Sequence, residues 1–201
     1  VVPRRATVDS PTLTVTADSQ TKVYGSADPE LTYEVDGFVG DDDESLLSGD
    51  LYRQSGEDVD SYYIYGDYLY AGSNYEIDYE GDYLEITPYH LIVTADPKTK
   101  QFGEVDPPLT WTHTPLVNGD DPIDVFGDYG FNIDLARVPG EAVGNYWIYL
   151  VENNQCDGEC YDYRYDYRYD DYYSRNYTFE YVGDYLTIMQ LPPVANIPQE
   201  D

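Results

Sequence analysis

An internal repeat constrains the fold of this 201-residue chain more than any other feature of its sequence. Residues 13–18 (LTVTAD) recur as residues 91–96 (LIVTAD), and residues 28–33 (DPELTY) recur as residues 106–111 (DPPLTW), in both cases 78 positions later. Two similar segments of this length predict two homologous units, each folding around its own core.

The offset between the copies grows along the chain, which shows where the second copy is longer. The pair Tyr63-Ile64 matches Trp147-Ile148 at an offset of 84, and residues 74–86 match residues 176–188 at an offset of 102. The second copy therefore contains about six extra residues before Trp147 and a further 18 after Ile148. The flanking segments 1–11 and 191–201 carry Pro3, Pro11, Pro192, Pro193 and Pro198, so we expect extended linkers or strand-like arms. The predicted organisation is an N-terminal arm at 1–10, a first module at 11–88, a second module at 90–190 with an insertion at about 149–175, and a C-terminal arm at 191–201.

The residue pattern inside each module is that of β-strands. Alternating or β-branched and aromatic runs are separated by Gly, Asp, Asn and Pro, and in the first module they predict strands at 12–17, 31–35, 61–70, 74–79 and 83–87. Residues 40–49, in which acids precede a Leu pair, predict one short helix, and residues 119–127 are its counterpart. The predicted fold is mostly β: two tandem modules, each a small sandwich-like or grasp-like sheet with one short helical turn.

The composition excludes several classes of partner. The chain has 40 Asp+Glu against 10 Lys+Arg, a net charge of −30, so nucleic acid and anionic membranes would approach a field of their own sign. No apolar run approaches the ~18 residues of a membrane helix, and no membrane insertion is expected. The 25 tyrosines supply the large rings that a core needs in a chain this acidic.

Several motifs occur together in a recognisable order. These are a Lys-Val-Tyr-Gly, an Asp-Pro-x-Leu-Thr-Tyr, a Gly-Asp before a short Leu-rich turn, a Ser-Asn-Tyr-x-Ile and a closing Tyr-Leu-x-Ile-Thr-Pro. In this order they resemble the MBG or YDG-type repeat domains of large bacterial surface proteins, over nearly all of 12–88 and, without the insertion, 91–188. The resemblance implies an extracellular or cell-surface location in bacteria, a role as a rod segment of adhesins, and no enzymatic activity.

The insertion predicts a β-hairpin around Asp157-Gly158. Cys156 and Cys160 would then lie opposite one another, and we expect a disulfide, which implies an oxidising compartment. Side chains alternate along a strand, so one face would carry only tyrosines. The interface candidates are Tyr161, Tyr163, Tyr165, Tyr167 and Tyr169, together with Trp147. That face could pack on its own module, contact a neighbouring subunit or stack on sugar rings.

Two further groups of residues are candidate sites, each with a simpler structural alternative. Carboxylates are the ligands that calcium prefers, but the spacing lacks the Asp-x-Asp-x-Asp-Gly order, so a solvated, helix-capping acid run is the preferred interpretation; the candidates are Asp41, Asp42, Asp43, Asp120 and Asp121. Asn176 begins an Asn-x-Thr glycosylation pattern, although a turn role is preferred because it aligns with Asn74. No catalytic motif is present, and no cofactor other than calcium is expected.

The sequence therefore predicts a structural repeat segment of a bacterial extracellular fibre or adhesin. The predicted partners are copies of the chain itself, contacted through the terminal arms and the Tyr-rich hairpin. A glycan-binding module that uses the Tyr face is the first alternative, and a rod stiffened by calcium is the second.

Overall fold

A computed structural model describes residues 10–126, 134–151 and 174–192 of the chain. Contacts divide the chain into two units, Val1–Tyr89 and His90–Asp201. Both are built mainly of β-strands with short helical turns, so the predicted fold class is confirmed.

The first unit contains seven strands in its described part. They are β1 (Thr12–Ala17), β2 (Gln20–Val23), β3 (Tyr33–Asp36), β4 (Tyr52–Arg53), β5 (Ser61–Tyr65), β6 (Glu76–Glu80) and β7 (Tyr83–Thr87), with a 3₁₀ turn at Glu44–Leu46 between β3 and β4. They form a three-stranded sheet in the order β3-β1-β6 and a four-stranded sheet in the order β2-β7-β5-β4.

The segments β1–β2 and β6–β7 each pass from the three-stranded sheet to the four-stranded sheet, and they run alongside one another. Strand β1 is parallel to β6, with Val15 opposite Tyr79, and strand β2 is parallel to β7, with Lys22 opposite Ile86. Only two residues separate β1 from β2, and only two separate β6 from β7. The first and last segments of the module are therefore hydrogen-bonded to each other in both sheets.

The second unit repeats this architecture. Its elements are β8 (Tyr89–Ala95), β9 (Lys98–Gln101), β10 (Trp111–His113), α1 (Pro122–Phe126), β11 (Asp134–Arg137), β12 (Gly144–Val151), a 3₁₀ turn at Ser174–Asn176, β13 (Tyr177–Val182) and β14 (Asp184–Met189). The sheets have the orders β10-β8-β13 and β11-β12-β14-β9, and β9 is parallel to β14. Only Pro88 separates β7 from β8.

Each core is made by the inward residues of alternating strands. In the first unit Leu13, Val15 and Ala17 of β1 are at most 3% exposed, and Ile64 is fully buried. The corresponding residues of the second unit are also buried: Leu91, Val93, Ala95 and Ile148. The spacing of two along β1 and β8 follows from the pleat, which turns successive side chains to opposite faces.

A glycine turn follows β2 and determines where the chain goes next. The Ser26 N–H donates to the Val23 carbonyl over 3.0 Å, and Gly25 has φ +78°. A positive φ at the third residue of such a turn is typical of type II, which favours glycine because it has no Cβ. The second unit has the same turn, with Gly103 at φ +89°.

The burial pattern predicts where truncation is costly. We expect Ile64→Ala to lower the free energy of unfolding of the first unit by about 2–5 kcal/mol, because the site is fully buried and a cavity remains. The control Val39→Ala, at a 58% exposed residue of a loop, should cost less than about 0.5 kcal/mol. Urea unfolding followed by circular dichroism measures both, and equal losses would contradict the assignment of the core.

Candidate functional site

The inward face of strand β2 carries a lysine where an apolar residue is expected. The strand alternates so that Thr21 and Val23 point outward, and the side chain of Lys22 between them is only 4% exposed. A buried ammonium group is costly unless carboxylates and hydrogen bonds compensate for lost hydration. Lys22 therefore requires acidic partners nearby.

Asp28 and Glu57 supply these partners, and both also bind Arg53. The Lys22 ammonium lies 2.6 Å from Asp28 Oδ1 and 2.6 Å from Glu57 Oε2. Asp28 accepts a forked pair of hydrogen bonds from Arg53, from Nε at 2.7 Å and from Nη2 at 3.0 Å. Arg53 Nη2 also donates to Glu57 Oε1 at 2.5 Å. We call these four residues the first ion-pair cluster.

The guanidinium of Arg53 is held on its remaining sides by backbone and by an aromatic ring. Its Nη1 donates to the carbonyls of Gln54 and Gly56 at 2.9 and 2.6 Å, and its carbon lies 5.2 Å from the centre of the Tyr62 ring. Gly56 has φ +150°, and a Cβ there would lie 2.1 Å from the Tyr62 ring. The glycine therefore permits the ring and the guanidinium to meet.

The second unit contains the same cluster. Its members are Lys100, Asp106, Arg137 and Glu141. The Lys100 side chain is 3% exposed and lies 2.6 Å from Asp106 and 2.5 Å from Glu141. Arg137 donates to both acids and to the Gly140 carbonyl, and it lies 5.2 Å from the centre of the Tyr146 ring.

The charges of each cluster reinforce one another. Hydrogen bonds from Arg53 lower the pKa of Asp28 to about 2, and hydrogen bonds from Lys22 lower the pKa of Glu57. Burial opposes the charge of Lys22, but the bonds to both acids outweigh it and raise the pKa of its ammonium. All four groups are therefore ionised at neutral pH, which suits fastening of the fold and does not suit proton transfer.

A second feature lies on the outward face of the same four-stranded sheet. Five tyrosine rings from β4, β5, β7 and the turn after β5 contact one another in series; we call them the tyrosine strip, in the order Tyr83, Tyr63, Tyr65, Tyr52 and Tyr68. Successive ring centres are 5.3, 4.8, 5.2 and 5.2 Å apart. Two of these contacts join residues directly opposite across paired strands, Tyr63 to Tyr83 and Tyr52 to Tyr65.

The strip is open to solvent at its two ends. Tyr83 is 50% exposed at one end and Tyr68 is 72% exposed at the other. The Tyr52 hydroxyl donates to Asp67 over 2.9 Å, and this bond raises the pKa of Tyr52 to about 12. The phenol therefore keeps its proton to a higher pH than an ordinary tyrosine, and a carboxylate orients its hydroxyl.

The second unit has a shorter version of this surface, which includes one predicted interface residue. Trp147 is 39% exposed and packs edge-on against Tyr185, with ring centres 4.9 Å apart. Tyr149 is also exposed, but Ala136 lies opposite it where the first unit has Tyr52. The outward aromatic surface therefore differs between the units, although both have the ion-pair cluster.

Four of the five acids proposed for calcium accept hydrogen bonds from other groups of the protein. Asp42 and Asp120 accept from the hydroxyls of Tyr75 and Tyr177, at 2.7 and 2.8 Å. Asp43 and Asp121 accept from the backbone N–H two residues later, each at 2.9 Å, as helix-capping residues do. Asp41 is exposed. Within the described ranges no three acidic, His or Cys side chains are grouped as metal ligands would be.

The other predicted sites fall into two classes. Asn176 is fully buried in the turn before β13, which favours the turn role that its alignment with Asn74 suggested over attachment of a glycan. The Tyr-rich insertion lies outside the described residues; this concerns Cys156 and Cys160 and the predicted interface residues Tyr161, Tyr163, Tyr165, Tyr167 and Tyr169. The disulfide and the glycan-binding face remain predictions.

The ion-pair clusters and the tyrosine strip were not predicted from the sequence, although the repeat contains a signal for the clusters. The Lys and the Asp of the first cluster recur 78 positions later as Lys100 and Asp106, and its Arg and Glu recur 84 positions later as Arg137 and Glu141. Each cluster contains one Lys and one Arg, so the two clusters together contain four of the ten Lys+Arg of the chain. Recurrence of the rarer charge is the feature that could have revealed them.

Comparison with protein families accounts for this duplicated geometry. The profile of the MBG domain, YGX type, matches residues 13–85 and again residues 91–165. The chain belongs to the MBG domain family. Tyr24-Gly25 lies in the glycine turn of the first unit, and Phe102-Gly103 occupies the equivalent positions in the second unit.

MBG repeats are typical of structural segments of surface proteins, and the family is not known as enzymatic. Neither the search of curated proteins nor that of solved structures gave a significant match. Among the described residues, no helix has the length and apolar character needed to span a bilayer.

The lowered pKa of Asp28 predicts how the first cluster responds to acid. The carboxylate contributes stability above its unfolded pKa of about 3.9, and this contribution is lost as the pH falls through about 2. We expect Asp28→Asn to lower the free energy of unfolding at pH 7 by about 2 kcal/mol. This is less than the roughly 3–5 kcal/mol of a fully buried pair, because the Asp28 side chain is 42% exposed.

The difference between Asp28→Asn and the unmodified chain should shrink between about pH 5 and pH 2, as measured by urea unfolding at each pH. Asp78→Asn is the control, because it changes the net charge equally at an exposed residue outside the cluster. A difference independent of pH would show that Asp28 acts through its shape and not its charge.

Proposed function

We propose that the chain is a force-bearing repeat segment of a bacterial extracellular fibre or adhesin. Membership of the MBG family supports a structural role, and the duplication supports a role in which units are added in series. Such a segment has to span distance and remain folded while its ends are pulled apart. The strand order of each unit is suited to this task.

The observation that carries the proposal is the parallel pairing of the first and last segments of each unit. Force applied at the two ends of the first unit would pull β1 and β2 toward the N-terminal side and β6 and β7 toward the C-terminal side. Because β1 pairs in parallel with β6 and β2 with β7, this force acts along the strands. The hydrogen bonds are perpendicular enough to the pull that many must break together, instead of one after another.

The ion-pair cluster strengthens the same connection. Lys22 is part of β2, and its partners Asp28, Arg53 and Glu57 lie elsewhere in the sequence. Sliding β2 along β7 would separate the Lys22 ammonium from two carboxylates while its stem is still buried. The charge would then lack compensation in an apolar environment, which raises the barrier to sliding.

Single-molecule stretching tests this proposal. Pulled between its termini, the chain should give two rupture events, one releasing roughly 250 Å and a longer one of roughly 340 Å from the second unit with its insertion. Pulling the first unit between Ser26 and Thr87, at the same end of β2 and β7, would unzip the pair one bond at a time and should need a clearly lower force. Equal forces in the two directions would contradict the role assigned to the parallel strands.

We also propose that copies of the chain associate through the terminal arms and the Tyr-rich insertion. The support is the three prolines of the C-terminal arm, Pro3 and Pro11 at the N-terminal end, and the run of alternating tyrosines in the sequence. Deleting residues 1–10, residues 191–201 or residues 152–173 should each reduce assembly seen by electron microscopy and sedimentation. Unchanged assembly in all three deletions would remove this part of the proposal and leave the force-bearing role intact.

A further inference from the structure

The tyrosine strip is a continuous aromatic surface that the core of its unit does not need. Its rings lie on the outward face of β4, β5 and β7, while the inward residues of the same strands, among them Ile64 and Leu84, form the core. The terminal rings Tyr83 and Tyr68 are at least half exposed. The faces of tyrosine rings carry partial negative charge and attract cations.

Carboxylates border the strip along its length. Asp67 is bonded to Tyr52 in the middle of the surface. At the Tyr83 end, Asp82 and Glu85 line a shallow groove of about 420 Å³ together with the Tyr83 ring. Glu85 follows Tyr83 by two residues on β7, so the two side chains point to the same face of the sheet.

Among the described residues of the first unit, 10–89, no cation is available to cover the strip. Residues 10–89 contain 19 carboxylates and two cations, Lys22 and Arg53. Both cations belong to the first ion-pair cluster, with side chains 4% and 9% exposed. A positive group that contacts the strip therefore has to come from outside this part of the chain.

The first unit itself shows which cation suits a tyrosine face bordered by acid. Arg53 lies 5.2 Å from the centre of the Tyr62 ring while it forks onto Asp28. A planar guanidinium can stack on a ring and bind a carboxylate at its edge at the same time, which an ammonium does less well. The strip offers aromatic rings for stacking and carboxylates for hydrogen bonding along a series of successive rings.

We propose that the tyrosine strip is a docking surface for an extended, arginine-bearing segment of a partner protein. Arginines on one face of an extended segment are roughly 6.5–7 Å apart, and their flexible side chains can reach rings that are 4.8–5.3 Å apart. Stacking on the rings supplies specificity for arginine, and Asp67, Asp82 and Glu85 supply attraction and orientation. The net charge of −30 increases the rate of encounter with such a partner.

Binding of two peptides of equal charge to the full chain tests this proposal. The probes are a short peptide of alternating arginine and serine and its lysine counterpart, followed by calorimetry and by chemical shifts of the tyrosine rings. The arginine peptide should bind at least several-fold more tightly, and ring shifts should be concentrated at the strip. Equal affinities for the two peptides, or no binding of either, would overturn the proposal.

Variants separate ring stacking from general attraction by charge. The double variant Tyr68→Ser, Tyr83→Ser removes two exposed rings and no carboxylate. It should lower the affinity of the chain for the arginine peptide by about ten-fold. The control is Tyr70→Ser, which removes a 58% exposed ring outside the strip and should leave the affinity unchanged. Circular dichroism and urea unfolding confirm that each variant is folded.

Three results would contradict the docking surface. If the double variant binds as tightly as the unmodified chain, the acids alone attract the peptide. If affinity falls equally in the Tyr70→Ser control, the effect is not specific to the strip. If the strip variants instead abolish saturable binding of a neutral oligosaccharide while the arginine peptide is unaffected, the strip is a sugar-stacking surface.

Discussion

The pairing of Lys22 with Asp28 and Glu57 is the interaction around which the first unit is arranged. A lysine on the inward face of β2 is tolerable only if acids reach it, and this requires the chain to turn back after β2 and to bring the segment beyond β4 alongside. The glycine turn reverses the direction of the chain after β2, because Gly25 can adopt the positive φ that the turn requires, and this places Asp28 near Lys22. Arg53 then joins both acids, so strands distant in sequence are held at one place.

The two clusters also explain how so acidic a chain forms compact units. In each cluster the Lys and Arg side chains are buried and the Asp and Glu side chains are more exposed. Glu57 is 53% exposed and Glu141 is 64% exposed. Carboxylates on the outside remain partly hydrated, so ionising them costs little, and cations inside offset part of the surrounding negative charge. The arrangement therefore lowers repulsion where backbone segments are closest, and leaves the negative surface free to keep the protein soluble.

The sequence predicted much of the fold because the repeat and the alternation of residues are strong signals. Strands β1 and β7 begin and end where the pattern placed them, whereas the predicted strand at 61–70 ends at Tyr65. Strand β2 was not predicted, because its inward residue is Lys22 and an apolar pattern does not detect a charge buried by partners distant in sequence. The tyrosine strip was missed because its order depends on which strands pair, and a single sequence does not state that β4, β5 and β7 are neighbours.

Side chains alternate along β5 and β12, so each strand has one set of residues that packs in the core and another set that forms the outer surface. Ile64 and Ile148 are buried in the two units, yet their neighbours on the other face differ, with Tyr63 in one and Trp147 in the other. A substitution on the outer face removes no side chain from the core. Successive copies of such a unit can thus diverge on their outer surfaces while sharing one scaffold, and an array of them would present a series of different surfaces from a single repeated framework.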